Sequence, residues 1–260
     1  MNLITAIILG IVEGITEFLP ISSTGHLILT SSLLRITQSE FLKSFEIAIQ
    51  LGAILSVAVL YWKSLIFDKE KLSKVLVAFI PTAIAGLLLY KIVKAYLLGN
   101  QSVVLWALFI GGILIIALEY FYSKRNIDAG ETTAITYKQA ALIGLFQSAA
   151  IVPGVSRSAA TIMGGLMLGI NRKTIVEFSF LLAIPTMAAA VGYDLTKTAV
   201  SFTAEQLVYL LIGFVVSFIT AMLAVKFLLS FIRKNNFVSF GIYRILLSLL
   251  LWYLLYMKRI

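Results

Sequence analysis

The sequence has no cysteine, a single histidine and few charged residues. Without cysteine, it cannot form a disulfide bond, a thiolate nucleophile or a cysteine-ligated zinc site. With one histidine, any mechanism or metal site that needs two is excluded. Only 13% of the 260 residues are charged and 60% are apolar, whereas a soluble domain has about 25% charged and about 45–50% apolar residues. The sequence therefore predicts an integral membrane protein with no sizeable soluble domain.

Six apolar stretches are long enough to cross a bilayer as helices, which takes about 20 residues. They are residues 41–62, 74–97, 102–122, 174–194, 206–231 and 238–257. Short polar segments separate them, so we expect one membrane domain over residues 1–260. No basic segment precedes the first apolar run, and we expect no cleaved signal peptide.

The net charge of +9 is consistent with loops that lie on anionic lipid headgroups. The basic residues are scattered, which argues against a nucleic-acid partner. Lysine and arginine are more frequent in one set of loops, and Lys124 and Arg125 are among them. This excess predicts that these loops are cytoplasmic and that both termini are outside. These loops are residues 63–74, 123–138, 171–173 and 233–236.

Two further apolar regions, residues 3–34 and 138–169, are interrupted by Pro20 and by Pro153-Gly154. Each interruption leaves halves that are mostly too short to cross the hydrocarbon core, which is about 30 Å thick. We expect two re-entrant helical hairpins, each entering the membrane and leaving by the same face. A broken backbone at that depth requires surrounding protein or a water-filled cavity.

The two interrupted regions resemble each other when one is shifted by 134 residues. The coinciding pairs are Gly10 with Gly144, Glu13 with Gln147, and Ser22 with Ser156. We therefore predict one repeat over about 3–97 and a second over about 138–231. Three spans separate the hairpins, so the second repeat is expected to be inverted, an arrangement typical of a buried polar site.

The first interrupted region carries two acids, Glu13 and Glu17, which share one helix face because they are four residues apart. A carboxylate in lipid is costly, so this face should meet a cavity, a cation or a metal. The alternative is that both acids lie near the membrane surface.

The hydroxyls of Ser22, Ser23 and Thr24 follow directly at the break, and His26 lies two residues after Thr24. Serine and threonine cap helix N-termini, where free N–H groups attract anions. His26 is either a catalytic residue or a packing residue.

The second break, PGVSRSAAT at 153–161, adds a fixed cation, Arg157, between Ser156 and Ser158. A guanidinium at this depth needs an anionic partner, and its planar fork suits phosphate oxygens. The alternative is a structural ion pair with Glu13 or Glu17. Together the two breaks supply hydrogen-bond donors for phosphate oxygens, acids able to hold Mg²⁺ or Ca²⁺, a hydroxyl nucleophile and a general base. This set favours phosphoryl transfer.

Other polar and small residues carry weaker expectations. Glu46 and Gln50 share a face of the first span and either line the cavity or pair structurally. Charged residues closer to span ends are expected at the membrane surface; they are Glu119, Glu177, Asp194 and Arg244. Two glycine pairs predict close helix packing, Gly10 with Gly14 and Gly165 with Gly169.

EGITEFLPISSTGH at 13–26 and PGVSRSAAT at 153–161 resemble the two signature motifs of undecaprenyl-diphosphate phosphatases of the bacitracin-resistance type. These motifs are (E/Q)xxxE and PGxSRSxxT, and the resemblance covers essentially the whole chain. It implies hydrolysis of undecaprenyl diphosphate to the monophosphate, which recycles the lipid carrier of cell-wall synthesis. It also implies a bacterial inner-membrane enzyme with a site that opens outward, dependence on a divalent metal, and bacitracin resistance.

The resemblance implies a catalytic set of Glu17, Ser23, His26 and Arg157, with Glu13 and Glu17 on the metal. Substrate-binding residues at the two breaks are expected to be Ser22, Thr24, Gly154, Ser156, Ser158 and Thr161. Our hypothesis makes Ser23 the nucleophile and leaves its proton to His26 or Glu17; a metal-bound water is the other candidate nucleophile.

A transporter or flippase of a phospho-lipid or anion is the alternative function, because inverted repeats with broken helices are typical of secondary transporters. The motif GxxxxGK(S/T) does not occur, so an ATP-driven pump is not indicated. The expected partners are a polyprenyl diphosphate and membrane lipids; the sequence leaves a homodimer open.

Overall fold

The computed structural model describes residues 1–37, 39–97, 100–123, 134–195 and 202–257, and within these ranges all regular structure is helical. The α-helices in chain order are α1 Leu3–Thr16, α2 Ser23–Leu33, α3 Glu40–Leu60, α4 Trp62–Phe67, α5 Lys69–Ile92, α6 Gln101–Ser123, α7 Tyr137–Ser148, α8 Arg157–Met167, α9 Arg172–Leu195, α10 Ala204–Phe231 and α11 Val238–Tyr256. A π-helical turn, Val93–Leu97, follows α5, and a 3₁₀ turn, Ala149–Ile151, follows α7. Lys124 and Arg125, on which the predicted orientation partly depends, lie outside the described residues.

Six helices, α3, α5, α6, α9, α10 and α11, are long and apolar enough to cross a membrane, which confirms the six predicted spans. The main difference in bounds is at the charged segment 63–74, which we expected to be a loop. Helix α4 covers part of it, and α5 begins at Lys69. The side chain of Asp68 accepts a hydrogen bond from the Lys71 N–H at 2.9 Å, so it caps α5 and allows the helix to begin before the apolar run.

The two interrupted regions form the helix pairs α1–α2 and α7–α8, with breaks at the predicted positions. Helix α1 has 14 residues and α2 and α8 have 11 each. At 1.5 Å per residue these helices are about 16–21 Å long, well short of a hydrocarbon core of about 30 Å. The face by which each pair enters the membrane stays a prediction.

The pairs α1–α2 and α7–α8 share two unusual backbone conformations at equivalent positions. The residues that precede α2 and α8, Ser22 and Ser156, both have left-handed φ angles, 70° and 73°. The same holds at the ends of these helices, where Arg35 has φ 52° and Gly169 has φ 77°. In each pair the two residues are 134 positions apart in the sequence. Gly169 thus ends α8 in a left-handed turn. The inverted orientation of the second copy stays a prediction.

The first helix of each copy packs against the last spanning helix of the other copy, α1 against α10 and α7 against α5. Glycine permits both contacts. A Cβ on Gly10 would lie 2.8 Å from the Gly213 carbonyl oxygen, and one on Gly144 would collide with the Ala78 carbonyl. The two copies are therefore interlocked around the breaks.

Replacing Gly14→Ala should destabilise the protein, because the new Cβ would lie 2.6 Å from the Ser217 carbonyl oxygen on α10. Overpacking of this kind costs about 1–3 kcal/mol. We expect this loss in the free energy of unfolding of the detergent-solubilised protein. The matched control is Gly192→Ala, where the Cβ meets nothing within 4 Å and helix propensity is expected to add up to about 1 kcal/mol. Equal stability of the two variants would contradict the close α1–α10 contact.

Candidate active site

One carboxylate, that of Glu17, connects the two breaks. Its Oε2 accepts a hydrogen bond from Ser23 Oγ at 2.6 Å, and its Oε1 accepts one from Arg157 Nη2 at 3.0 Å. Ser23 and Arg157 are the first residues of α2 and α8 and occupy equivalent positions of the two copies. The structure thus brings three of the four predicted catalytic residues into contact.

Arg157 is held between α9 and the first break. Its Nη1 donates to the Ser179 carbonyl oxygen at 3.1 Å, and its guanidinium lies 5.4 Å from the centre of the Phe18 ring. The Nε–H is buried and has no hydrogen-bond partner among the described residues. Since buried polar groups are almost always paired, this donor is available for an anionic ligand.

Glu13 is fully buried, and neither of its carboxylate oxygens has a hydrogen-bond partner in the described ranges. Its counterpart in the second copy, Gln147, has its groups paired. The amide nitrogen of Gln147 donates to the hydroxyls of Thr82 and Thr186 at 2.9 and 3.0 Å, and the Thr161 hydroxyl lies 3.2 Å from its amide oxygen. Thr161, predicted to bind substrate, is therefore part of a buried packing network, whereas Glu13 has unused ligand capacity.

The acids fit a hard cation that is shared with a phosphate ligand. Unpaired carboxylate oxygens on Glu13, next to Glu17, are the donor type that Mg²⁺ and Ca²⁺ prefer. The described residues contain no group of three or more acidic, histidine or cysteine side chains placed to hold a metal. Magnesium in phosphoryl-transfer sites commonly uses one or two carboxylates together with water and substrate phosphates. The donor set therefore fits such an ion only with substrate present.

The His26 imidazole is engaged at both nitrogens. Its Nδ1 lies 2.7 Å from the Ser22 carbonyl oxygen, which can only accept, so Nδ1 carries the proton. Its Nε2 lies 2.7 Å from the Tyr243 hydroxyl, which then donates, and the two rings are stacked. Of the two proton acceptors that the sequence left open for Ser23, the structure places Glu17 in contact with the hydroxyl.

The serines of the second break have structural contacts. Ser156 Oγ accepts the Ala159 N–H at 3.3 Å and so caps α8, as expected. Ser158 Oγ donates to the Leu19 carbonyl oxygen at 2.8 Å and ties the two breaks together. It follows that Ser158 shapes the site through the backbone of the first break.

Three other predicted binding residues lie at the breaks. Ser22 is buried and occupies the N-cap position of α2 without a side-chain capping bond, whereas Thr24 is exposed. Gly154 has φ 93°, and a Cβ there would lie 2.7 Å from the Val104 carbonyl oxygen, so only glycine fits. Of the three, Thr24 has the most open side chain.

Two residues that we expected at the membrane surface are enclosed within the protein. Glu119 and Arg244 are both fully buried. Glu119 pairs with Arg172 and accepts the Phe237 N–H at 3.0 Å, and Arg244 donates to backbone carbonyls at both breaks. Arg244 lies within the apolar run of a span, and that position was the signal that could have revealed it, because ionisable residues there face the protein interior.

Glu46 and Gln50 are half-buried on α3, and Glu46 is close enough to Glu13 for the two carboxyl groups to interact electrostatically. This proximity is compatible with Glu46 lining the site.

The family model described as bacitracin resistance protein BacA matches residues 6–250. The chain belongs to this family. A relative from Wolinella succinogenes is 54% identical over 255 residues, which cover 98% of this chain and 99% of the relative. Relatives from Aquifex aeolicus and a Sulfurihydrogenibium species are 53% and 52% identical, with coverage of 94% and 97% of this chain and 95% and 100% of their own lengths. All three are named undecaprenyl-diphosphatase.

Neutralising the two acids should have opposite effects on stability when divalent cations are removed with EDTA. Glu17→Gln leaves the buried Arg157 guanidinium without its counter-charge, and breaking such a pair costs about 3 kcal/mol or more. Glu13→Gln replaces a fully buried carboxyl group, whose oxygens accept no hydrogen bond, by a neutral amide of the same size, so its free energy of unfolding should stay equal or rise. Chemical unfolding in detergent measures both. If Glu13→Gln were as destabilising as Glu17→Gln, Glu13 would have a partner in the folded protein.

Proposed function

We propose that the protein hydrolyses undecaprenyl diphosphate to undecaprenyl phosphate and inorganic phosphate. The main structural support is that the Glu17 carboxylate accepts hydrogen bonds from both the Ser23 hydroxyl and the Arg157 guanidinium. The carboxyl oxygens of Glu13 and the Nε–H of Arg157 have no hydrogen-bond partner among the described residues. Family membership and relatives that are named undecaprenyl-diphosphatase support this substrate. The reaction recycles the lipid carrier of cell-wall synthesis and accounts for resistance to bacitracin. We place the enzyme in the bacterial inner membrane, with the site open to the outer face.

In the proposed reaction Ser23 Oγ attacks the terminal phosphorus, and Glu17 takes the hydroxyl proton through their 2.6 Å hydrogen bond. The new O–P bond forms as the anhydride P–O bond breaks, and undecaprenyl phosphate leaves. Arg157 stabilises the negative charge on the transferred phosphoryl group, in part through its unpaired Nε–H. Glu17 passes this proton to the departing undecaprenyl phosphate and then deprotonates the water that attacks the phosphoserine. The Ser23 Oγ–P bond breaks as the new O–P bond forms, and Glu17 returns the proton to Ser23 Oγ as inorganic phosphate leaves.

The alternative within this function is direct attack by water on the diphosphate. Glu17 then deprotonates the water, and the Ser23 hydroxyl serves only to orient Glu17 or the phosphate. Both routes use the same acid and the same guanidinium, so they differ only in whether a phosphoserine forms.

We propose that Glu13, together with Glu17, holds Mg²⁺ or Ca²⁺ when substrate is bound. The ion would offset negative charge on the diphosphate oxygens. The chain contributes two carboxylates on adjacent turns, of which Glu13 has both oxygens unused. The lipid tail would lie in an apolar groove between helices that is continuous with the bilayer, so a soluble diphosphate should react poorly.

The deciding experiment is phosphate release from undecaprenyl diphosphate by purified protein in detergent, where no gradient exists. The wild type should turn over, and Glu17→Gln should lose about 10²–10⁴-fold in kcat because it removes the general base. The matched control, Gly192→Ala, should match the wild type. Absence of release, with lipid translocation retained in vesicles, would instead support the transporter.

In the same assay Ser23→Ala separates the two chemical routes. Loss comparable to that of Glu17→Gln, together with a phosphoserine trapped in the wild type, supports the serine nucleophile. Near-normal turnover of Ser23→Ala would eliminate it and leave direct attack by water.

Cation binding should appear as a gain in thermal stability. Mg²⁺ in the presence of a non-hydrolysable analogue of undecaprenyl diphosphate should raise the Tm of the wild type, since a ligand at a hundredfold excess over its Kd adds about 2.7 kcal/mol. With Glu13→Gln the metal-dependent part of this gain should disappear, while the gain from the lipid alone remains. An equal metal-dependent gain in both proteins would place the cation elsewhere.

A further inference from the structure

Arg244 lies on α11, outside both repeats, and it is the largest fully buried residue in the part of the chain that the structure describes. A guanidinium has five N–H groups, and here each reaches a backbone carbonyl. The acceptors are Leu108 at 3.3 Å from Nε, Pro20 at 3.3 Å and Val155 at 2.9 Å from Nη1, and Ala107 and Gly154, both at 2.9 Å, from Nη2. The side chain is thus fully satisfied by main-chain oxygens from three separate segments.

Two of these acceptors are equivalent in the internal repeat. Pro20 and Gly154 are 134 residues apart, and each lies two residues before the left-handed serine that opens its half-helix. One guanidinium therefore donates to equivalent carbonyls of the two breaks, through Nη1 to Pro20 and through Nη2 to Gly154. The contacts to Ala107 and Leu108 fasten this assembly to α6.

The broken backbone needs such a donor. Carbonyl groups at a break have no helical N–H partner, and leaving them unpaired inside a membrane protein costs several kcal/mol each. No described carboxylate forms a salt bridge with Arg244, so its charge is balanced by carbonyl dipoles. Space for the guanidinium comes from Gly111, where a Cβ would collide with Nη2.

We propose that Arg244 is a positioning residue, which fixes the two breaks relative to each other and so sets how Ser23 and Arg157 meet at Glu17. It donates to carbonyl oxygens that precede α2 and α8, while Ser23 and Arg157 are the first residues of these two helices. Its neighbour Tyr243 donates to His26, so the same turn of α11 also orients the imidazole. This role rests on the proposed hydrolysis, but its geometric part is independent of it.

Arg244→Lys is the main variant, because it keeps the positive charge. A single ammonium has three N–H donors at one point and cannot hold carbonyls of both breaks and α6 together. We expect kcat to fall about 10²-fold, as for a misplacement of about 1 Å, while KM changes much less. Gly111→Ala keeps Arg244 but displaces its guanidinium, and should lower kcat in the same direction. The matched control is Gly86→Ala, whose Cβ meets nothing within 4 Å.

A distance measurement separates positioning from loss of stability. The chain has no cysteine, so Leu33→Cys and Met167→Cys can be spin-labelled without background. These residues end α2 and α8, are equivalent in the repeat and are 59% and 49% exposed. With Arg244→Lys the distribution of label–label distances in the folded protein should broaden or shift, whereas with Gly86→Ala it should match that of the otherwise unchanged chain.

An unchanged distance distribution in folded Arg244→Lys protein would overturn the proposal, even if activity fell through unfolding. Wild-type kcat in Arg244→Lys would overturn it as well. If the wild type itself released no phosphate from undecaprenyl diphosphate, the proposed hydrolysis would fail, and the distance measurement would still decide whether Arg244 holds the breaks together.

Discussion

Backbone carbonyls that lose their helical partners inside a membrane protein must be paired by other donors, and the rest of this structure depends on how that is done. Two helices break at equivalent points, and the freed oxygens receive hydrogen bonds from Arg244 and Ser158. The opposite ends of the breaks are helix N-termini, which carry positive dipole character. Satisfying the carbonyls thus leaves the donor ends of α2 and α8 available for the anion that the proposed function requires.

The internal repeat supplies geometry, and differences between its copies supply chemistry. Ser23 and Arg157 are equivalent positions with the same backbone, yet one carries a hydroxyl and the other a fixed charge. Glu13 and Gln147 are equivalent as well, but only the amide has its groups paired. A symmetric pocket would place like groups opposite each other, whereas this one places an acid and a hydroxyl opposite a cation, an arrangement suited to the proposed phosphoryl transfer.

Much of the fold could be predicted from local sequence signals. The six spans follow from apolar runs, and the breaks follow from Pro20 and Pro153 inside otherwise helical segments. The start of α5 was predicted late, because hydropathy does not register the capping of a helix by Asp68. Arg244 was placed at the membrane surface because its position along the span was judged without knowing which face α11 buries.

By itself, the sequence determined that the chain has six helices able to cross a membrane, where two further helices break, and which polar residues lie at those breaks. These properties depend on hydrophobicity and on short-range backbone preferences. Only the tertiary structure decided that Glu17 contacts Ser23 and Arg157, that His26 is held by Tyr243, and that Arg244 binds both breaks. The physical reason is that these contacts join residues up to 224 positions apart, and their geometry follows from how α1, α8 and α11 pack rather than from any local pattern.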